Sequence, residues 1–165
     1  MLPLLKDLGI ERFFIQVIGL RGQSAQAPQQ NRQVSGSQWL EMIPRVAAEV
    51  AAEGITATYP KVFLNDGEPF ECAGLVADNY FIFPNGRVYR CPLCEDFPMH
   101  SLVVRENRLT PTPRINEADL FHLAIPEGCV MNRLIQPENL SYRGDGTPIH
   151  RIACCLLKEE LRPDG

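Results

Sequence analysis

Six cysteines are the residues of this sequence best suited to chemistry. Cys72 stands before a hairpin pattern, and the stretch CPLC, Cys91–Cys94, stands directly after it. The others are Cys129 and the adjacent pair Cys154 and Cys155. Thiolates are soft donors, and four of them hold a zinc ion or a four-iron four-sulfur cluster. A tight hairpin brings Cys72 and Cys91 side by side, so the spacing indicates a thiolate metal centre.

Two alternatives need no metal. CPLC also has the spacing of a thioredoxin-like redox pair, but that motif needs a helix N-terminus to lower the pKa of a thiol. Here the pair leaves a predicted strand, and Pro98 soon follows. Free cysteine is also among the most buried residue types. Burial is the favoured explanation for Cys154 and Cys155, because adjacent side chains diverge and at most one faces a given site.

Zinc is the alternative that keeps a metal. Cys91, Cys94 and His100 have ligand types and local spacing that zinc accepts. Cys72 or Cys129 would complete four ligands. A structural zinc site of this kind serves folding, because the free energy of metal binding adds to that of folding. The corresponding function is a zinc-stabilised module for protein–protein contact.

Composition limits the classes of function. Hydrophobic residues make up 45% of the 165 residues, which is enough for a packed core. The net charge is −4 without dense runs of Lys or Arg, so non-specific nucleic-acid binding is not expected. No apolar segment approaches the roughly 18–20 residues that span a bilayer, and the N-terminus lacks signal-peptide features. We therefore expect a cytoplasmic protein with no nucleic-acid or membrane partner, whose cysteines serve metal or redox chemistry.

The first part of the chain has an α/β pattern. A short helix over residues 2–8 precedes the apolar run Arg12–Leu20, which predicts a strand covered on both faces. A polar loop follows, and its start, residues 21–26, has the place of a ligand-binding loop in α/β folds. Ser37 is the predicted N-cap of the next helix, and residues 55–60 predict the next strand.

After about residue 66 the pattern changes to short strands and turns. NYFIF and RVYRC flank the turn PNG and predict a hairpin, and residues 101–110 predict a second one. Asn116 is the predicted cap of a short helix. The tail, residues 150–161, predicts either a strand or a last helix. This part is expected to be a small α+β domain with β-hairpins that carries the cysteines.

The stretch CAGLVADNYFIFPNGRVYRC, Cys72–Cys91, resembles the Cys-x(9–15)-Gly-x4-Cys signature that opens SPASM and twitch domains. These are C-terminal auxiliary-cluster modules of radical S-adenosylmethionine enzymes. Residues 4–26 and 34–54 are similar to the last strand and flanking helices of those enzymes' partial (β/α)6 barrel. The resemblance implies a remnant of this parallel barrel over residues 1–65 and a SPASM/twitch-like auxiliary iron–sulfur domain over residues 66–165.

Two departures limit what the resemblance implies. The family's catalytic loop, Cys-x3-Cys-x2-Cys, has no match here. The chain is therefore expected to be part of a longer oxidoreductase, inactive alone, with S-adenosylmethionine bound only by the full-length parent. The cysteines are also too few for the two clusters of a complete SPASM domain. One auxiliary four-iron four-sulfur cluster is implied, which anchors a substrate or relays electrons.

The resemblance assigns three cluster ligands and leaves the fourth open. The assigned ligands are Cys72, Cys91 and Cys129. The fourth is expected to be Cys94, because it is locally tethered, with Cys154 or Cys155 as the rival. The expected partners are the missing N-terminal barrel portion and an unidentified peptide or small-molecule substrate.

Overall fold

The computed structural model describes residues 1–17, 34–94 and 97–163. Within these ranges the chain is a mixed α/β protein with five α-helices and seven strands in two sheets. None of the helices described is long and apolar enough to cross a membrane. The predicted loop over residues 21–26 lies outside the described residues.

The chain folds as two compact units. The first unit is Met1–Lys61 with Cys155–Gly165, and the second is Val62–Cys154. The assignment of a barrel end and an auxiliary-cluster domain to the two parts of the chain stays a prediction. The elements of the first unit are α1 (Leu2–Asp7), β1 (Arg12–Phe14), α2 (Gly36–Ala52), β2 (Thr56–Pro60) and β7 (Lys158–Leu161).

The sheet of the first unit has the order β1-β2-β7. β1 and β2 are parallel, with Phe13 opposite Ala57, as the α/β pattern predicts. β7 runs antiparallel to β2, with Glu159 opposite Tyr59, so the tail forms a strand. β1 is shorter than the predicted strand because it ends at Phe14, and residues 18–20 of the prediction lie outside the described residues.

Helix α2 is capped two residues earlier than the sequence predicts. The N-cap is Ser35, whose hydroxyl oxygen accepts the Gln38 backbone N–H at 3.2 Å. The Gln38 side chain accepts the Ser35 N–H at 2.9 Å in return. The prediction of Ser37 was wrong because only Ser35 has a glutamine three residues on, which completes a capping box. The helix continues through Pro44 to Ala52.

The core of the first unit consists of aliphatic side chains, including two alanines, and one tyrosine. It lies between the helices and the sheet, and burial of such side chains is the main stabilising contribution to a fold. The buried residues are Leu5, Ala47, Val50, Ile55, Ala57 and Tyr59.

The second unit is built from shorter elements. The strands are β3 (Phe81–Ile82), β4 (Arg87–Tyr89), β5 (Leu102–Arg105) and β6 (Arg108–Pro111). The helices are α3 (Ala73–Val76), α4 (Glu117–Leu120) and α5 (Val130–Ile135), with 3₁₀ turns at Pro92–Cys94 and Pro137–Asn139. The four strands form an antiparallel sheet in sequence order, so both predicted hairpins are confirmed.

Gly86 closes the first hairpin. Its φ is +80°, a conformation that glycine adopts without steric cost. Its N–H donates to the Phe83 carbonyl at 2.9 Å, and its own carbonyl accepts from the Val104 N–H at 2.8 Å. A Cβ at this position would lie 3.2 Å from the Val104 carbonyl oxygen. The glycine of the signature therefore sits where the turn requires one.

Candidate metal centre

The four predicted ligands lie in one hydrophobic cluster of the second unit. Cys91, Cys94 and Cys129 are buried members of it, and Cys72 packs against it, partly buried. The cluster also contains Tyr89, Leu93, Phe121, Val130, Met131 and Ile152. Cysteines separated by up to 57 positions, from Cys72 to Cys129, thus share one apolar environment.

Local structure places these cysteines at the ends of short elements. Cys72 is the N-cap of α3, and Cys129 is the N-cap of α5. The Cys129 sulfur accepts the Asn132 backbone N–H at 3.4 Å. Cys91 follows soon after β4, and Cys94 ends the 3₁₀ turn that begins at Pro92. The CPLC stretch thus follows a strand, as expected, and its last three residues form a 3₁₀ turn.

A backbone contact brings Cys129 near Cys154. The Cys129 N–H donates to the Ile152 carbonyl at 3.1 Å, and the Ile152 N–H donates to the Glu127 carbonyl at 2.8 Å. Gly128, with φ +89°, makes this approach possible, because a Cβ there would overlap the Ile152 carbonyl oxygen. Two residues beyond Ile152 stands Cys154, which is buried.

Cys72 and Cys154 interact directly. The Cys72 thiol donates to the Cys154 sulfur, which also accepts the Ala73 backbone N–H at 3.3 Å. This hydrogen bond, followed by burial and the nearby sulfur charge, raises the pKa of Cys72. Burial, followed by the charge of Cys154, raises the pKa of Cys129. Three sulfurs far apart in sequence therefore influence one another electrostatically.

Cys94 and Cys155 have different surroundings. The Cys94 thiol donates to the carboxylate of Glu117, which also accepts the Cys91 backbone N–H at 3.3 Å. Burial raises the pKa of Glu117, and these hydrogen bonds oppose that shift. Cys155 is exposed and belongs to the first unit. Of the two rivals for the fourth ligand position, the structure brings Cys154 to Cys72.

Neither the ligands of the zinc alternative nor the predicted cluster ligands form a gathered metal site in the described part of the chain. The His100 ring packs against the Tyr89 ring with centroids 5.9 Å apart. Among residues 1–17, 34–94 and 97–163, no three His, Cys, Asp or Glu side chains are arranged to hold a metal ion. A zinc ion needs all its ligands about 2.0–2.3 Å from one centre, whereas a four-iron cluster spreads its thiolates over different irons. The donor set itself, buried soft sulfurs with peptide N–H groups directed at them, fits an iron–sulfur cluster.

Glu117 is the residue of this site that sequence reasoning missed. It stands at the first position of α4, directly after the N-cap Asn116. Acidic residues are common there and ordinarily face solvent. Nothing in the sequence distinguishes a glutamate that is fully buried from one that only complements a helix end.

Comparison with known proteins adds no assignment to this site. Protein-family models, curated proteins and solved structures gave no match to the chain.

Proposed function

We propose that the second unit is the auxiliary iron–sulfur domain of a radical S-adenosylmethionine enzyme and holds one four-iron four-sulfur cluster. One observation carries the proposal. The cysteines predicted from spacing share a single buried cluster, and a further cysteine, Cys154, is hydrogen-bonded to one of them. A group of thiols in one apolar core suits soft-metal chemistry.

The proposed ligands are Cys72, Cys91, Cys129 and Cys154. Cys154 takes the fourth position in place of Cys94, because it contacts Cys72 and influences Cys129. The raised pKa values of Cys72 and Cys129 mean that these thiols hold their protons in the metal-free protein. Metal binding to these thiols releases their protons, so the affinity for metal is expected to rise with pH.

The residues around the sulfurs shape such a site. Ala73 and Asn132 direct backbone N–H groups at the sulfurs of Cys154 and Cys129. Hydrogen bonds to ligand sulfurs and exclusion of solvent are two means by which proteins tune the reduction potential of a cluster. A bound cluster supplies an electron-transfer centre or an anchoring point for a substrate. The thiolates serve as ligands and have no acid–base role of their own.

The first unit is compatible with the end of a partial (β/α)6 barrel. β1 and β2 are adjacent parallel strands with α2 between them in sequence, which is the local unit of such a barrel. β7 lies beyond β2 and runs antiparallel, so it ends the parallel series on that side. In this proposal the remaining barrel portion, with S-adenosylmethionine and the catalytic cluster, is the partner on the β1 side.

Reconstitution of single-cysteine variants tests the ligand set. The purified protein is incubated anaerobically with iron and sulfide, and bound iron is measured after desalting. The Cys72→Ser, Cys129→Ser and Cys154→Ser variants are expected to lose most of the bound iron, because each loses one ligand. Cys155→Ser is the matched control, because Cys155 is adjacent to Cys154 in the sequence but is exposed. This variant is expected to bind as much iron as the unchanged protein.

The outcome that contradicts the proposal is equally specific. Iron content that is the same in every variant shows adventitious binding. Zinc bound without sulfide, and lost in a Cys91→Ser or His100→Ala variant, favours the structural zinc module.

A further inference from the structure

Glu117 is a carboxylate with no exposed surface. Its exposed fraction is 0%. Burying a carboxylate is costly unless its oxygens accept hydrogen bonds. A glutamate at the first position of a four-residue helix has no need to be buried for the sake of that helix. The reason for its burial therefore lies in the contacts of its carboxylate.

The hydrogen bonds of Glu117 converge on the CPLC stretch. Its Oε1 atom accepts the backbone N–H groups of Arg90 and of Cys91, the latter at 3.3 Å. The same oxygen accepts the Ser101 hydroxyl at 3.1 Å. The Cys94 thiol donates to the carboxylate as well. One side chain thus binds both ends of the CPLC stretch.

These contacts begin where the strand pairing of β4 ends. Tyr89, the last residue of β4, pairs with Phe81, and beyond it the chain turns into Pro92–Cys94. The backbone N–H groups of Arg90 and Cys91 lie beyond this pairing, and both donate to Glu117. Glu117, 26 residues away from Cys91, supplies the acceptor. It fixes the backbone of Cys91 and, at the same time, the side-chain direction of Cys94.

We propose that Glu117 is the positioning residue of the CPLC stretch: it presents Cys91 as a metal ligand and holds the Cys94 thiol as a hydrogen-bond donor outside the ligand set. The ligand role of Cys91 rests on the proposed function. The placement of Cys91 and Cys94 by Glu117 does not rest on it, because that placement is a property of the metal-free protein. Glu117 acts only through these two residues.

The second oxygen of Glu117 makes a conservative variant available. Oε2 is buried and has no hydrogen-bond partner among the described residues. In Glu117→Gln the amide oxygen can take the place of Oε1 and keep its acceptor role, with the amide nitrogen in the place of Oε2. Glu117→Ala removes every acceptor. The pair separates loss of the hydrogen bonds from loss of the charge.

The first experiment measures thiol alkylation by iodoacetamide in the metal-free protein, residue by residue, by mass spectrometry. Cys94 is expected to react about tenfold faster in Glu117→Ala than in the unchanged protein, because local opening of the stretch becomes easier. Glu117→Gln is expected to stay within about threefold of the unchanged rate. Cys129 is buried in the same cluster, and none of the hydrogen bonds described here joins it to Glu117, so it serves as the internal reference and is expected to keep its rate.

Asp119→Ala is the matched control. Asp119 lies on the same helix, and its carboxylate accepts the Asn116 N–H at 3.0 Å. It is expected to weaken α4 and leave the Cys94 rate unchanged. Equal acceleration of Cys94 and Cys129 in Glu117→Ala, or acceleration of Cys94 in Asp119→Ala, overturns the proposal in favour of a general loss of structure.

An infrared measurement gives a signature that a purely structural role would not produce. The S–H stretching band of Cys94 is isolated as the difference between the unchanged protein and Cys94→Ser. It is expected at the lower frequency of a thiol that donates to an oxygen, and to move to higher frequency when Glu117→Ala is the background. A band that does not move shows that Glu117 does not hold the thiol. Failure of the chain to bind iron while both results hold would overturn the proposed function and leave the positioning role intact.

Discussion

The two units of this chain reach a stable core by different means. The first unit has a 17-residue helix against a sheet with parallel pairing, and its core is mostly aliphatic. The second unit has no described helix longer than six residues and no described strand longer than four. Its core contains cysteines, and the Glu117 side chain accepts a backbone N–H group that lies outside the helices and strands.

The two units therefore differ in how much a bound metal would add to their stability. Packing of a helix on a sheet gives the first unit a mostly aliphatic core, and its burial stabilises the unit. A unit of short elements gains less from regular hydrogen bonding, and small domains of this kind often use a metal to supply the missing stability. We therefore expect the two units to respond differently to metal, to backbone changes and to pH.

Removal of the proposed cluster is expected to have the largest effect, and only on the second unit. Structural metal sites contribute on the order of 10 kcal/mol to folding, so loss of at least about 5 kcal/mol is expected there. Hydrogen exchange of peptides from residues 62–154 measures the second unit. Fluorescence of Trp39, the single tryptophan, measures the first unit and is expected to keep its urea midpoint. Equal responses of both units would remove the distinction between them.

A glycine pair in the second unit is expected to give the next largest effect. Gly128→Ala places a Cβ against the Ile152 carbonyl at φ +89°, so the backbone contact that brings Cys129 near Cys154 must separate. We expect a total loss of about 3 kcal/mol or more in the free energy of unfolding. This exceeds the about 1–2 kcal/mol that a left-handed φ alone costs a non-glycine residue. Urea denaturation measures it.

Gly146→Ala is the control for this pair. Its φ is +82°, but a Cβ there meets no atom within 4 Å. It is expected to cost only the conformational part, about 1–2 kcal/mol, and to leave iron binding unchanged. If the two variants lose the same stability, the close approach at Gly128 does not support the site.

The smallest effect is expected in the first unit and concerns Tyr59. Burial, followed by the hydrogen bond to Glu159 at 2.6 Å, raises the pKa of Tyr59 from 10.0 to about 12. The folded state thus holds the phenol proton more tightly than the unfolded state. Its contribution to stability is complete below pH about 10 and is lost as the pH rises to about 12.

Tyr59→Phe checks this prediction. The variant is expected to lose about 1 kcal/mol near neutral pH, the usual net value of a hydrogen bond. Its stability is expected to fall less steeply than that of the unchanged protein between pH about 10 and 12. Trp39 fluorescence during urea denaturation gives both quantities. Identical pH dependence in the two proteins would show that Tyr59 is not the responsible group.

Local signals predicted the elements of the fold well. The turn at Gly86 and the cap Asn116 depend on residues within a few positions, and both are found as expected. The N-cap of α2 was placed two residues too late, although Gln38 was present in the sequence as the signal for Ser35. The strand beginning at Arg12 is shorter because an apolar run shows where a strand is possible and does not fix how far its pairing extends.

The site was predictable only in part. Spacing indicated Cys72 and Cys91 as candidate ligands, and the structure packs Cys72 against the cluster that contains Cys91. The contact of Cys154 with Cys72 depends on pairing of Gly128 with Ile152, which are far apart in the chain. The burial of Glu117 depends on how α4 packs. Such non-local contacts leave no periodic trace in one sequence.

Iron and acid-labile sulfide content of the protein purified without oxygen tests the central claim most directly. About four irons and four sulfides per chain, with broad visible absorption from thiolate-bound iron, are the predicted result. Zinc without sulfide, or no metal in a correctly folded chain even after attempted reconstitution, would contradict the assignment of an auxiliary iron–sulfur domain.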